Sequence, residues 1–246
     1  MRNVLQLIVI ILISSGAARL MPLKAQIPQG YYNSAQNLTG QSLQLALHNI
    51  IKNHTVKSYD YLWTAFATTD DFQPGTICWD MYSYTLNGTP TYTYTIPSSQ
   101  CSTTPGEEGI CYNREHSFPK SWFGGEVSPM YTDLFHLIPV DSYVNSRRNN
   151  YPYGVVNSPA WTSENGSKLG PCSYTGYSGT VFEPMDEYKG DLARHYFYMA
   201  VRYADVIASW EEYDSNGDAV LNGSQHPAFE DWALNLLMEW HIGDPV

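Results

Sequence analysis

The sequence is short of charge, and above all of positive charge. Charged residues make up 15% of its 246 positions, and 13 Lys and Arg stand against 24 Asp and Glu, which gives a net charge of −11. A chain this acidic is not suited to holding a polyanion over its whole surface, so any such contact must be local. Hydrophobic residues nevertheless reach 43%, which excludes a disordered chain.

Long hydrophobic runs are also missing. No apolar run reaches the roughly 18 residues that a membrane-spanning helix needs. The N-terminus has only a short apolar stretch, residues 4–13, which follows Arg2 and precedes a run of small residues and a plausible cleavage site at 23–25. This pattern predicts a secretory signal peptide over residues 1–25 and a secreted or periplasmic domain over residues 26–246.

Cysteines are few, and none forms a C-x-x-C pair, which argues against a cysteine-based zinc site. The four cysteines are Cys78, Cys101, Cys111 and Cys172. An exported chain can pair them in up to two disulfides. A bridge between Cys101 and Cys111 would close a short glycine-containing loop and is the first that we expect.

Hydrophobic periodicity predicts a mixed fold. Apolar residues recur at helical spacing over 41–52, 60–67, 191–210 and 229–240, and Pro227 suits the first turn of the last of these helices. Between them, alternating segments at 77–82 and 91–96 flank Asn87-Gly88, a pattern typical of a β-hairpin. Helices, then strands, then helices favour an α+β class and a single domain.

Basic residues are concentrated in one part of the chain. Residues 113–168 contain half of the Lys and Arg that follow position 25, namely Arg114, Lys120, Arg147, Arg148 and Lys168. Five acidic residues balance them, so this window is neutral while the rest of the chain is strongly acidic. Composition alone does not separate this cluster from chance.

The same window contains oxygen ligands suited to a hard cation. Glu115 supplies a carboxylate, and Asn145 or Asn149, one helical turn apart, could supply an amide oxygen. Mg²⁺ accepts few protein oxygens and keeps several waters, which leaves room for a substrate phosphate. These residues therefore predict a metal site that is completed by substrate.

A general base and a phosphate-binding cation lie beside these ligands. His116 has a side chain whose usual pKa of about 6.5 lets it take a proton from water near neutral pH. Arg148 or Arg147 could hold the phosphate and balance the negative charge that develops there. Together with the metal site, they predict a one-metal hydrolysis of phosphodiester bonds.

Three ordered segments are similar to those of a known family. They are NREHSFPKS at 113–121, TDLFHLIP at 132–139 and YVNSRRNNYP at 143–152. They resemble the endonuclease I family, exported bacterial nucleases with a ββα-metal (His-Me finger) core. The likeness extends to segments 79–83, 176–184 and 232–236 and so covers most of the chain after residue 25. It implies an α+β single domain in which helices flank a ββα-metal core.

The resemblance also implies roles for individual residues. The family's general base falls on His116, its acidic metal ligand on Glu115, its amide ligand on Asn145 and its phosphate contact on Arg148. Further substrate contacts are expected from Arg114, Arg147, Lys120, Asn149 and Asn150.

The family's chemistry adds expectations about substrate and cofactor. Its members cleave DNA, and often RNA, with little sequence preference and leave 5′-phosphate ends. They use Mg²⁺ or Ca²⁺, and Mn²⁺ is a further candidate. We expect this chain to act as a monomer.

The sequence departs from the family at two places. Some members carry a transition-state arginine between the two central strands, but residues 122–132 contain no Arg or Lys, so Arg114, Arg147 or Arg148 would have to replace it. Where many members read Asp-Leu-His-Asn, this chain reads Asp-Leu-Phe-His, so His136 is given no catalytic role.

Two other functions are compatible with parts of the sequence. A catalytically inactive nucleic-acid-binding module on the same fold would keep the basic and tyrosine-rich faces without needing Glu115 and His116. An exported carbohydrate-active enzyme would use paired acids, for which Glu183, Asp186 and Glu187 are the candidates. Cleavage of plasmid DNA in the presence of Mg²⁺ or EDTA separates the three.

Overall fold

Short strands and helices make up the computed structural model, which describes residues 27–73, 77–86 and 88–245. The strands are β1 Asp71–Gln73, β2 Ile77–Cys78, β3 Tyr112–His116, β4 Leu137–Asp141, β5 Trp161–Thr162, β6 Lys168–Pro171 and β7 Thr180–Glu183. The α-helices are α1 Gly40–Ile51, α2 Tyr61–Thr69, α3 Ser142–Arg148, α4 Lys189–Arg202, α5 Ser215–Asp218 and α6 Asp231–Gly243. Several single 3₁₀ turns connect them, including Lys120–Phe123 and Met130–Thr132.

The chain divides into an N-terminal unit that ends at Tyr31 and a compact unit over Tyr32–Val246. Of the first unit, the structure describes only residues 27–31, where the Tyr31 amide donates to the Pro28 carbonyl at 3.0 Å. The predicted signal peptide at 1–25 lies outside the described residues. Among the helices that are described, none has both the length and the apolar character needed to cross a bilayer.

A β-hairpin followed directly by a helix forms the centre of the compact unit. Strands β3 and β4 are antiparallel, with Tyr112 opposite Asp141 and His116 opposite Leu137. Asp141 ends β4 and also caps α3, because its side chain accepts a hydrogen bond from the Val144 amide at 2.8 Å. The chain therefore passes from strand to helix without a loop, and α3 packs against β3.

Two hydrophobic clusters support this hairpin. The larger one includes residues of α4 and α6, which pack together, and it reaches Ile138 and Val140 of β4. The smaller one joins Leu62 and Phe66 of α2 to Tyr112. Helices and three small antiparallel sheets thus share one compact unit, which confirms the predicted α+β class and single domain.

The predicted hairpin around Asn87-Gly88 is wrong in its pairing. Ile77–Cys78 is the only strand in the first segment, and it pairs with Asp71–Gln73. Its contact with the second segment is reduced to an isolated bridge between Ile77 and Thr95. The alternating pattern still reports burial, since Tyr94 and Ile96 both lie in the core. Residue 87 lies outside the described part.

The predicted helices are all present, but some of their details differ. Helix α4 ends at Arg202, because Tyr203 leaves helical geometry and its hydroxyl is held by the Asp133 carboxylate at 2.6 Å. Helix α6 begins at Asp231, so Pro227 precedes it and is not in its first turn. In α1 the buried residues are Gln44 and His48, and the expected apolar stripe is only half-buried.

Cys101 and Cys111 form the expected disulfide, with their Cα atoms 5.8 Å apart. The bridge closes the segment that leads into β3. The second possible bridge is not formed. Cys78 and Cys172 are both free cysteines, and both are buried. The cysteines thus act as one covalent link beside the hairpin that carries the predicted site.

Candidate active site

A cavity of about 570 Å³ lies at the junction of β3, α3 and the 3₁₀ turn at Lys120–Phe123. Eight residues predicted from the sequence line it: Arg114, Glu115, His116, Lys120, Asn145, Arg148, Asn149 and Asn150. Tyr59, Pro119, Ser121 and Ser146 complete the lining. The imidazole, the carboxylate and the side-chain amide that the sequence singled out therefore share one pocket.

The strand end explains how two adjacent residues reach the same cavity. Successive side chains of a strand point to opposite faces, so Glu115 and His116 would normally diverge. They are the last two residues of β3, and the chain turns immediately after them. Glu115 points toward α3, while His116 approaches from the side of Tyr131.

One hydrogen bond sets the tautomer of His116. Its Nε2 lies 3.0 Å from the backbone carbonyl oxygen of Tyr131, which can only accept, so Nε2 carries the proton and Nδ1 has the free lone pair. Burial lowers the pKa of His116 well below its usual value; His136, Lys120 and Arg148 lower it further, against the Tyr131 carbonyl. The ring is therefore neutral near pH 7 and able to accept a proton.

Two side chains donate to the same oxygen of Glu115. Its Oε1 accepts hydrogen bonds from Nη1 of Arg148 and from the hydroxyl of Tyr82, each at 2.7 Å. No side-chain donor of the described residues reaches Oε2. Burial raises the pKa of Glu115, and the Arg148 guanidinium and the Tyr82 hydroxyl oppose that shift. The ion pair keeps a carboxylate in place with one oxygen available for a ligand.

Arg148 does not fit the phosphate contact expected from the sequence. Its side chain is 1% exposed, and besides Glu115 it donates to the carbonyl oxygens of His116 at 3.0 Å and Ser117 at 2.6 Å. A buried guanidinium that already donates to three acceptors within the protein is poorly placed to bind a substrate phosphate. The structure gives Arg148 a different task, which is to fix Glu115 and the backbone on either side of the strand end.

The amide of Asn145 is oriented by a neighbour on β3. Its Nδ2 donates to Oδ1 of Asn113 at 2.7 Å, and Nδ2 of Asn113 donates to the hydroxyl of Ser142 at 2.9 Å. The amino group of Asn145 is thus engaged in a hydrogen bond within the protein, and its Oδ1 remains free for a ligand. Asn113 and Glu115 lie two apart on one strand face, and Asn145 and Arg148 lie three apart on the facing helix.

The donor set suits a hard cation with a water-rich shell. Oε2 of Glu115 and Oδ1 of Asn145 are both oxygens, one anionic and one neutral, of the kind that Mg²⁺, Mn²⁺ or Ca²⁺ accepts. Across the described residues, no three His, Cys, Asp or Glu side chains cluster as a metal centre. A cation in this cavity would therefore depend on these two oxygens together with water and substrate phosphate.

The two asparagines that follow α3 differ sharply. Asn150 donates through Nδ2 to Ser121 and Asp214, and its Oδ1 accepts from Asn216, so its side chain is occupied within the protein. Asn149 is exposed at the cavity, and its backbone φ of 53° is in a region that favours glycine. Of the two expected substrate contacts, only Asn149 has a side chain available.

The remaining two arginines are also committed. Arg114 is sandwiched between the rings of Tyr59 and Trp63, at 3.6 and 4.3 Å, and donates to the Tyr59 carbonyl at 2.7 Å. Arg147 does not line the cavity and stacks instead over the ring of Trp161 at 5.4 Å. The expected substrate contact by Arg147 is therefore not supported by its position.

Sequence reasoning missed three contributors to this site. Tyr82 reaches Glu115 from 33 positions away and also bonds to the hydroxyl of Tyr153 at 2.7 Å. The carbonyl of Tyr131 orients His116, which side-chain identity does not reveal. Asn113 could have been found, because it shares a strand face with Glu115 at a spacing of two. His136, given no catalytic role, is fully buried and bonded to the Met130 carbonyl at 2.8 Å.

Comparison with known proteins shows the family of this chain. The chain is 34% identical over 224 residues to an extracellular ribonuclease of Bacillus subtilis (strain 168) and 36% identical over 222 residues to one of Bacillus amyloliquefaciens; each match spans 88% of this chain and 66% of the relative. It is 28% identical over 81 residues to Endonuclease-1 of Buchnera aphidicola subsp. Acyrthosiphon pisum (strain APS), which is 32% of this chain and 30% of that relative. The Endonuclease I profile matches residues 39–246, and the chain therefore belongs to the Endonuclease I family.

Proposed function

We propose that this chain is a secreted, metal-dependent endonuclease that hydrolyses phosphodiester bonds of DNA and RNA with little sequence preference. The observation that carries the proposal is the convergence of three groups in one cavity. They are a neutral His116 with Nδ1 free, a Glu115 oxygen without a side-chain donor, and an Asn145 amide oriented by Asn113. Membership of the Endonuclease I family supports the same class of reaction.

In the proposed reaction, His116 acts as the general base. Nδ1 takes a proton from a water molecule as its oxygen forms a bond to phosphorus. The bond between phosphorus and the 3′ oxygen breaks, and that oxygen leaves with the bonding pair and receives a proton from solvent. The products are a 5′-phosphate and a 3′-hydroxyl end. The Tyr131 carbonyl stabilises the resulting imidazolium, because it still accepts from Nε2.

Glu115 and Asn145 would hold one divalent cation, with Mg²⁺ as the first candidate and Ca²⁺ or Mn²⁺ as alternatives. When bound, such a cation neutralises charge on the phosphate and on the departing oxygen. Arg148 and Tyr82 keep the Glu115 carboxylate in position for this task. Two protein ligands leave most of the cation's coordination to water and substrate, as expected for a cation that also binds a phosphate.

The names of the relatives, the disulfide and the composition support the proposed substrate and location. Both Bacillus relatives are named extracellular ribonucleases, which favours RNA as a substrate beside DNA and favours export. The Cys101–Cys111 disulfide suits an oxidising compartment outside the cytosol. The acidic composition fits a nuclease that binds nucleic acid only at its neutral central window and releases its products readily.

A cleavage assay tests the proposal. Plasmid DNA and a long RNA are incubated with the protein in Mg²⁺ or in EDTA, and the products are separated on gels. We expect degradation in Mg²⁺, none in EDTA, and a loss of about 10²–10⁴-fold in rate for His116→Ala. The matched control is His226→Ala, because His226 is an exposed histidine outside the cavity.

Three outcomes would overturn the proposal in different ways. Retention of nucleic acid in a gel shift without cutting would instead identify an inactive binding module on the same fold. Full activity of His116→Ala would reject its role as base. Unchanged metal titration curves for Glu115→Ala and Asn145→Ala would reject these residues as the ligands.

A further inference from the structure

Two of the basic side chains that line the cavity are not free to contact a substrate phosphate. Hydrolysis of a phosphodiester adds negative charge to the phosphate, and enzymes meet it with a cation placed beforehand. Arg148 is 1% exposed and bound to three acceptors within the protein. Arg114 is 12% exposed and held between two rings. Neither can move to a substrate without breaking these contacts.

Lys120 is placed differently. It begins the 3₁₀ turn that follows the strand end, four residues after His116, and it lines the cavity. Its side chain is 46% exposed. The ammonium lies 5.2 Å from the ring centroid of Tyr131, whose carbonyl orients His116. Among the described residues that line this cavity, Lys120 is thus the basic side chain with the freedom to reach a phosphate.

The carboxylate that pairs with Lys120 is exposed to solvent. Nζ of Lys120 lies 3.1 Å from Oε1 of Glu126, and Glu126 is 66% exposed. Ion pairs this exposed are weak, because water solvates both charges and the side chains lose freedom in pairing. A phosphate brings a negative charge with several acceptor oxygens, so it can replace the Glu126 carboxylate.

We propose that Lys120 is the cation that binds the scissile phosphate, and that Glu126 competes with the substrate for it. In the absence of nucleic acid, Lys120 pairs with Glu126. When a phosphate enters the cavity, the Lys120 ammonium leaves Glu126 and pairs with a non-bridging phosphate oxygen. It remains there as negative charge develops on the phosphate. This inference rests on the proposed function, because it adds a positive side chain to the general base and the metal site proposed there.

The experiment measures both cleavage and binding for a set of variants. Initial rates on a short labelled RNA and DNA give kcat and KM in Mg²⁺, and fluorescence anisotropy in EDTA gives affinity without cleavage. We expect Lys120→Gln to lower kcat/KM by about 10–100-fold, with a loss in kcat, and to reduce the slope of log affinity against log salt by about one charge. Lys120→Arg should restore most of the activity.

Glu126→Gln tests the competition directly. Removing the competing carboxylate should lower KM several-fold while kcat stays unchanged. Glu126→Gln in the Lys120→Gln background should have no effect on KM, because the ammonium for which Glu126 and the substrate compete is absent. Lys52→Gln is the matched control, since Lys52 is an exposed lysine outside the cavity whose loss changes the net charge equally.

Specific results would overturn the inference. Equal effects of Lys120→Gln and Lys52→Gln would show that only general charge matters. An unchanged KM for Glu126→Gln would reject the competition. If the parent protein cleaves nucleic acid in Mg²⁺ but Lys120→Gln is as active, this inference fails while the proposed function stands. If the parent does not cleave at all, the proposed function fails. Matching thermal melting curves confirm that each variant is folded.

Discussion

The side-chain amide of Asn145 donates to Oδ1 of Asn113 at 2.7 Å. Asn113, an uncharged residue of β3, thereby orients the amide of Asn145 so that its oxygen faces the cavity. The hydroxyl of Ser142 lies 3.5 Å from the Thr103 carbonyl and 2.9 Å from Nδ2 of Asn113. The Ser142 hydroxyl has a single hydrogen, which it donates to the Thr103 carbonyl, so it accepts the hydrogen bond from Nδ2 of Asn113. The orientation of both amides is therefore determined by groups that do not themselves touch a ligand.

Asn113→Leu should weaken metal binding without removing a ligand. Without its acceptor, the Asn145 amide can rotate and present its amino group to the cation. Loss of such an outer partner typically costs about 10–100-fold in metal affinity. We expect this loss in Mn²⁺ affinity measured by calorimetry, with catalytically inactive His116→Ala as the shared background.

Asn113→Asp is the control for this prediction. A carboxylate keeps the acceptor for Asn145, and the Ser142 hydroxyl can turn to donate to it. We expect this variant to retain Mn²⁺ affinity. Equal affinities for the Leu and Asp variants would show that Asn113 does not position Asn145.

The buried ion pair between Arg148 and Glu115 makes a prediction about stability. Arg148→Met leaves Glu115 buried without its partner, and breaking such a pair typically costs about 3–5 kcal/mol in the free energy of unfolding. Urea denaturation should show this loss. Adding Glu115→Gln removes the stranded charge, so the double variant should regain much of the stability while remaining inactive. A stable single variant would contradict the assigned role of Arg148.

The elements that the sequence predicts well are those fixed by local patterns. The sequence alone singled out the adjacent Glu115 and His116, which end β3 together. It also predicted the disulfide between Cys101 and Cys111, which are close along the chain. The orientation of Arg148 could not be predicted, because it depends on β3 and α3 packing together. A pair of arginines near a predicted phosphate site looks the same in the sequence whether they face the cavity or the core.

The pairing of strands was the other feature that could not be predicted from the sequence. The Asn87-Gly88 turn signal is local, but Ile77–Cys78 found its partner in Asp71–Gln73 on the opposite side in sequence. Tyr82, the last residue of the segment predicted as the first strand of that hairpin, instead reaches Glu115. Burial could be predicted from alternation, but the choice between two possible partner strands depends on tertiary contacts.

Asp80 makes the stability depend on pH. It is buried, and this burial together with the nearby Asp141 raises its pKa from 3.8 to about 7. Between those values the unfolded chain releases the proton while the folded protein keeps it. The free energy of unfolding should therefore fall as pH rises from about 4 to 7, at about 1.4 kcal/mol per pH unit for one group.

Asp80→Asn isolates this contribution. The amide cannot titrate, so the variant should show a flatter pH dependence than the parent over the same range, whatever its absolute stability. Thermal or urea unfolding at several pH values measures the difference. Parallel curves for the two proteins would show that the pKa of Asp80 is not raised in the folded state.

Asn149 combines a strained backbone with an unoccupied side chain at the cavity. The Tyr151 amide donates to the Arg148 carbonyl at 3.2 Å, and Asn149 has φ 53° and ψ −128°, which is the first central position of a type II′ turn. Glycine dominates that position, and other residues there cost about 1–3 kcal/mol. We therefore expect the side chain of Asn149 to contribute to substrate binding, which would offset this cost.

Two substitutions separate strain from binding at this position. Asn149→Gly relieves the backbone, so its melting temperature should equal or exceed that of the parent, while its KM for nucleic acid should rise several-fold. Asn149→Ala loses the same amide but keeps the strain, so it should bind equally poorly and melt lower than the glycine variant. A glycine variant with the KM of the parent would show that the amide is idle, and equal melting temperatures for both variants would show that the turn is not strained. Because the two variants share the binding defect and differ only in backbone freedom, the comparison assigns each effect to its own cause.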